Sequence, residues 1–325
     1  MFTNVDVSPI NGITSYIMNN GDMLNKGFSI SLNGYPVKTK NFRWYMSTYY
    51  SVNLNKVQTD DARNYNLNDY LNGTAVVSGQ PISTFYSYKF LGLNPQNGAP
   101  MFDDWEDRWH LLQGKTLDEV VPMILVNSGT RDPKFSGDLN NTFTYKNWSL
   151  SLNFSYSLGS KVRLFEMYGP IINGISAAAN VREEFLDRWQ VPGDEKYTVY
   201  PLIISPSSPD YEHYRLHYSA PQRAVGPNSG VPAFANNVWQ MYDDSDLRVV
   251  SGNYLKLQSL SFSYRLNDRL LRKTPFTQLS ISFNTHNCFT ISAKELRGQD
   301  PSQAGFADAG LSIRPSYTIG LNVSF

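Results

Sequence analysis

The sequence of 325 residues contains one cysteine, Cys288, so no intramolecular disulfide and no thiolate metal cluster can be built from it. It has no surplus of charge, with 28 basic and 28 acidic residues, and this removes the counterion-release case for nucleic acid. It has no apolar run of about 18 residues, which excludes membrane-spanning helices but not membrane-spanning strands, whose apolar half occupies every second position. No serine lies in a nucleophile elbow and no glycine-rich phosphate cradle is present. His213 and His217 are four apart but flanked by Pro206, Pro209 and Pro221 without an evident third ligand, so no metal site is expected there. Asp103 and Asp104, and Asp243, Asp244 and Asp246, lack the Gly and Glu register of a calcium loop and read as solvated turn residues. The segment from Met1 to Val7 shows neither the basic region nor the apolar region of a secretory signal. No catalytic residue, cofactor or metal is expected, and nothing supports an enzyme.

What is present is strict alternation. Strand side chains change face with every residue, and only a two-sided environment favours such a pattern. Trp148, Leu150, Leu152, Phe154, Tyr156 and Leu158 share one face, while Ser149, Ser151, Asn153, Ser155 and Ser157 share the other. Phe28, Ile30 and Leu32 alternate with Ser29, Ser31 and Asn33; Leu279, Ile281 and Phe283 alternate with Ser280, Ser282 and Asn284. At the end of the sequence Tyr317, Ile319, Leu321, Val323 and Phe325 share an apolar face. Leu260, Phe262 and Tyr264 are out of phase with Leu255 and Leu257, which predicts a bulge near Gln258 and Ser259. Soluble sheets usually carry Lys, Glu, Arg and Thr on the wet face. Here it carries Ser, Asn, Thr and Gly, which suits the lumen of a large barrel and makes residues 148–158 a lipid-facing strand.

Strands are expected near 22–33, 42–57, 84–93, 98–103, 138–146, 148–158, 252–264, 276–286 and 316–325. Links alternate in length along this series: 34–41, 94–97, 146–147 and 265–275 are short, whereas 58–84, 104–137, 159–251 and 287–315 are long. Short turns on one rim and long loops on the other describe an outer-membrane barrel. The longest link carries helical spacing in Val181, Phe185, Leu186 and Trp189, predicting a helix around 180–190 that ends at Pro192-Gly193. A second helix is expected at 116–121. The alternative is a soluble carbohydrate-binding β-sandwich, in which the loop aromatics Trp105, Trp109, Tyr168 and Trp239 stack on sugars; in a barrel the same residues are candidate ligand or lid contacts.

The stretch from Asp132 to Gly159, Asp-Pro-Lys-Phe-Ser-Gly-Asp-Leu-Asn-Asn-Thr-Phe-Thr-Tyr-Lys-Asn-Trp-Ser-Leu-Ser-Leu-Asn-Phe-Ser-Tyr-Ser-Leu-Gly, resembles a strand pair of SusC/RagA-like TonB-linked outer-membrane transporters of the Bacteroidetes type. Segments 25–34, 187–194, 254–264 and 297–301 agree in order and spacing, so the resemblance covers nearly the whole chain. It implies that residues 1–325 are the C-terminal part of such a barrel, without signal peptide, TonB box or plug. The implied fold is all-β: about nine strands of a roughly 22-strand antiparallel barrel. That piece is expected to form an open curved sheet whose first and last strands are unpaired on their outer sides. The implied activity is import of oligosaccharide or peptide across the outer membrane of a Gram-negative cell. A SusD-like surface lipoprotein closes over the loops, and TonB acts through the upstream part, so this chain alone is not expected to transport actively. Outer-membrane lipid is a further implied partner. The terminal residues Tyr317, Ile319, Leu321, Val323 and Phe325 look like the signal read by the barrel-assembly machinery.

Overall fold

The computed structural model describes residues 2–8, 10, 12, 15–19, 22–58, 65–103, 105, 107–169, 181–203, 224–225, 231–232, 238–303 and 314–325. The chain divides into two compact units. A sheet unit comprises residues 25–55, 132–162 and 251–325, and a link unit comprises residues 1–24, 56–131 and 163–250.

The sheet unit is built on seven antiparallel strands: β1 (Met23–Lys38), β2 (Phe42–Val57), β3 (Phe135–Tyr145), β4 (Trp148–Leu158), β5 (Tyr254–Arg265), β6 (Gln278–Ser292) and β7 (Ser316–Ser324). Their order in the sheet is their order in the sequence, so the topology is a meander and the sheet is open, with β1 and β7 at its edges. Register follows the alternation. Trp148 lies opposite both Tyr145 and Tyr264, Leu150 opposite Phe143 and Phe262, and Ile281 opposite Leu321. Apolar residues therefore form continuous rows across the strands. The turns between β1 and β2, β3 and β4, and β5 and β6 are short. The links 58–134, 159–253 and 293–315 are long, so the parity read from the sequence holds.

The anticipated bulge is present. Between Asn153 and Phe154 of β4 there is no intervening residue, yet β5 places Gln258 between their partners Ser259 and Leu257. β6 in turn places Asn287 and Cys288 between His286 and Phe289, the partners of the same two residues. The extra residue reverses the phase of β5, and that is how Leu257 and Leu260 come to serve one face. Cys288 is half-buried and packs its Sγ 3.0 Å from the Thr285 hydroxyl.

Two expectations change. The strands expected at 84–93 and 98–103 do not join the large sheet, which has seven strands among the described residues where nine were anticipated. Thr84–Tyr88 pairs with Leu125–Thr130, and Phe90–Leu93 pairs with Pro100–Phe102, both within the link unit. Thr84 through Tyr88 are buried at every position, whereas a barrel strand has one wet face; local alternation identifies a strand but not its partner. The helix expected around 180–190 is a single short turn, Glu183–Asp187. Phe185 and Trp189 are buried, but Leu186 is 73% exposed, so the helical spacing does not describe one buried face. Asn180 lies outside the described residues. The helix at 116–121 is present as Leu117–Ile124, capped by Thr116 and Glu119, whose carboxylate accepts the Thr116 N–H at 2.9 Å.

The link unit has its own core, in which Tyr70, Leu71, Tyr88, Leu112, Val120 and Val121 pack with Met167, Met241 and Tyr242. The sandwich alternative requires the apolar face of the large sheet to be covered. That face is open: Ile319 is 79% exposed, Leu32 59% and Ile281 52%.

Candidate functional site

The two faces of the sheet unit differ in chemistry. On the apolar face Trp148 contacts Phe262 and Tyr264, with ring centroids 5.3 and 4.2 Å apart, and Trp44 stacks on Phe143 at 5.7 Å. Toward the opposite strand ends Tyr50 meets Phe28 at 6.0 Å and Phe135 at 6.2 Å. Aromatics thus bracket an aliphatic middle that includes Leu150, Leu152 and Leu260. Trp148 and Tyr156 are separated along β4 by about 27 Å at strand rise; at a barrel tilt of 35–45° this projects to about 21 Å, near the height of an outer-membrane apolar band. All six residues read as lipid-facing on β4, Trp148 to Leu158, share this face.

The polar face is made mostly of neutral groups, with Arg43, Asp138 and Lys256 also lying on it. The hydroxyls of Thr142 and Ser151 lie 3.1 Å apart, Ser261 donates to Asn284 at 2.6 Å, and Gln258 at the bulge donates to Ser155 at 2.7 Å. On β7, Tyr317, Ile319, Leu321 and Val323 alternate with Ser316, Thr318, Gly320 and Asn322. Tyr317 stacks on Phe283 at 6.3 Å, and the terminal Phe325 meets Phe276 at 5.2 Å.

Two of the segments that carry the resemblance meet in a buried ion pair. Lys256 Nζ lies 2.9 Å from Asp300 Oδ2, with side-chain exposures of 3% and 9%. Asp300 also accepts the Ser302 N–H at 2.8 Å and hydroxyl at 2.6 Å. This pair ties the link after β6 to the strand before it, and the sequence analysis did not find it. The available signal was a lysine in β5 between Leu255 and Leu257, on the face that it shares with Tyr254, Ser259, Ser261 and Ser263.

In the link unit the loop aromatics are internal. Trp105 is buried beneath the Arg108 guanidinium, 4.4 Å from its ring. Tyr168 donates to the Pro201 carbonyl at 2.6 Å, and Trp239 donates to the Leu202 carbonyl at 3.2 Å. These three are buried in the link unit. Trp109 lies in a short turn, and its side chain is outside the described residues. Gly98 (φ 66°) is needed where it stands, because a Cβ there would lie 2.4 Å from the Trp189 ring.

Asp243 is not a solvated turn residue, which corrects the expectation for it, whereas Asp103, with its side chain 42% exposed, is a turn residue at the surface. Arg108 grips both oxygens of Asp103 at 2.7 Å. Asp246 binds Lys89 at 2.8 Å and the Phe90 N–H at 3.0 Å. Asp243 is buried, and its carboxylate accepts the N–H groups of Met167, Tyr168 and Gly169, each at 2.9 Å. Burial pushes its carboxyl up, opposed by Arg248 and by these amides. Asp243→Asn, which keeps one acceptor oxygen, is expected to cost about 2 kcal/mol through an unsatisfied buried N–H, read as a lowered midpoint in denaturant. Asp104, His213 and His217 lie outside the described residues. Among the described residues no group of three or more His, Cys, Asp or Glu could hold a metal ion.

No family model matches the chain. Over 97% of its length it is 23% identical to TonB-dependent receptor P3 of Formosa agariphila, covering 30% of that protein, and over 99% it is 21% identical to TonB-dependent receptor P39 of the same organism, covering 32%. Among solved structures it superposes along its whole length on the RagAB peptide transporter, with a TM-score of 0.67 and 18% identity, covering 32% of that chain. The closed-closed state of the RagAB peptide importer gives a TM-score of 0.65 with 19% identity, again over the whole of this chain and 32% of the other. The chain thus spans about a third of the length of the proteins it matches, and these are receptors and transporters rather than enzymes. In sequence and in fold, the chain resembles part of the barrel of a SusC/RagA-like TonB-dependent receptor.

Proposed function

We propose that the chain is a wall segment, the C-terminal part of the barrel, of an outer-membrane TonB-dependent nutrient importer. In this reading the apolar face of β1 to β7 meets lipid and the Ser/Asn/Thr face lines the lumen. The long links are the docking surface for a SusD-like lipoprotein, and the transported substrate is an oligosaccharide or a peptide. Energy from TonB would enter through parts of the transporter other than this wall. The observation that carries the reading is a single sheet whose apolar side, framed by aromatics, is open while its polar side is mostly Ser, Asn and Thr. Water-soluble monomers rarely leave a contiguous apolar face of this kind uncovered.

The chain is therefore expected to aggregate in water and to be monodisperse in detergent. Detergent with brominated tails should quench part of its tryptophan emission, and Trp148→Phe should reduce the quenched fraction. Monodisperse behaviour without detergent, together with glycan binding, would replace this reading with the soluble binding module.

A further inference from the structure

The link unit contains two adjacent acids treated very differently by their surroundings. Asp243 has three amide donors. The neighbouring Asp244 accepts no hydrogen bond on its carboxylate among the described residues, and its one ion pair is loose, 3.9 Å from Arg163 Nη1. That guanidinium is engaged elsewhere. Its Nη2 donates to the Leu71 carbonyl at 3.0 Å, the Tyr86 carbonyl at 2.9 Å and the Ser87 hydroxyl at 3.1 Å. Arg163 thereby clamps the helix Leu67–Leu71 and the strand Thr84–Tyr88 to its own segment. Asp244 sits beside this clamp, held through its backbone, where its carbonyl accepts the Tyr88 N–H at 3.2 Å.

We propose that Asp244 is a proton-operated latch on the link unit: its neutral carboxyl leaves the Arg163 clamp intact, and its ionisation loosens it. A neutral acid places no competing charge beside the guanidinium. A carboxylate in the same place, only 18% exposed and without protein donors of its own, draws Arg163 away from the carbonyls of Leu71 and Tyr86 or recruits more water. The charged groups facing Asp244 are Arg163, Asp243 at the end of its own helix, and Glu166 from the segment after Arg163. Among the described residues, this one cation is thus outnumbered by two further acids.

The electrostatics agree with this geometry. Burial pushes the Asp244 carboxyl up to about 7, Arg163 opposing and Asp243 and Glu166 adding to the rise. Since this exceeds the unfolded value of about 3.9, the folded unit retains a proton that the opened unit releases. The resulting stability is present at acid pH and is lost as pH rises through about 7.

Hydrogen exchange on the full chain in detergent, corrected for the intrinsic pH dependence of exchange, tests the latch. Between pH 6 and pH 8, opening at the amides of Tyr88 and of residues 167–169 should increase about tenfold in the wild type. Asp244→Asn, which ionises in neither state, should open equally at the two pH values and less than the wild type does at pH 6. A wild type with equal opening at the two pH values overturns the proposal, as does an Asn variant that retains the wild-type pH dependence. Should that variant fail to fold, infrared spectra of Asp243→Asn decide. A carboxylic-acid carbonyl band present at pH 6 and gone at pH 8 supports the latch, and no such band at pH 6 refutes it.

Discussion

Lys256→Ala should destabilise the sheet unit by about 3–5 kcal/mol, because it strands a buried carboxylate without its cation. The pair is nearly sealed, with Nζ and Oδ2 at 2.9 Å, and the remaining donors to Asp300, both from Ser302, cannot supply the missing charge. The loss would appear as a lowered thermal midpoint in detergent. Replacing both partners by apolar residues, Lys256→Met with Asp300→Leu, should recover most of it, since a buried pair often exchanges for packed hydrocarbon at little cost. Equal losses in the single and double variants would show that packing rather than charge holds the link. Burial pushes the Asp300 carboxyl up, but the bonds from Ser302 and Lys256 outweigh burial and hold it below the usual carboxylate range. The stabilisation from this depressed acid is present above about pH 4 and is lost as pH falls through its folded value. Lys256→Ala should accordingly lose less on acidification than the wild type does.

Gly137→Ala is the second large effect expected, about 3 kcal/mol from overpacking. Gly137 of β3 lies opposite Tyr156 on one side and Tyr50 on the other. The Tyr156 ring crosses over it, and its hydroxyl lies 3.4 Å from the Tyr49 carbonyl on the strand beyond. An added Cβ would sit 2.0 Å from that carbonyl oxygen and 2.5 Å from the Tyr156 hydroxyl. The first contact is with backbone, so β2 and β3 would have to separate locally. Shortening Tyr156 should relieve only part of the loss. Gly34, which has nothing within 4 Å of the corresponding position, is the control, and Gly34→Ala should change stability by less than about 0.5 kcal/mol. Similar denaturant midpoints for the two variants would sink the argument.

The contrast between these residues shows what the sequence can convey. Alternation in β4 and β7 declares two environments because every residue reports its face, and the phase reversal between Leu257 and Leu260 declares the bulge for the same reason. Partners are not written locally. Thr84–Tyr88 reads as one more wall strand until its burial at all five positions shows that it belongs to a separate core. Asp243 reads as a solvated acid because its donors, residues 167–169, lie some 75 positions earlier in the chain. Lys256 and Asp300 are 44 positions apart, and neither carries any mark of the other. Trp105, Tyr168 and Trp239 were legible as large aromatics but not as interior ones, since a loop long enough to build its own core gives aromatics a use other than binding.

That separate core has a consequence for the order of assembly. Tyr88 and Phe90 precede Tyr242 by some 150 positions, yet Phe90 and Tyr242 pack with ring centroids 5.6 Å apart. During synthesis the first long link must wait, its aromatics uncovered, until the second has been made and the β3–β4 hairpin between them has closed. Such distant pairings form slowly, so a helper that shields hydrophobic side chains should be needed most while residues 65–130 are complete and residue 242 has yet to arrive.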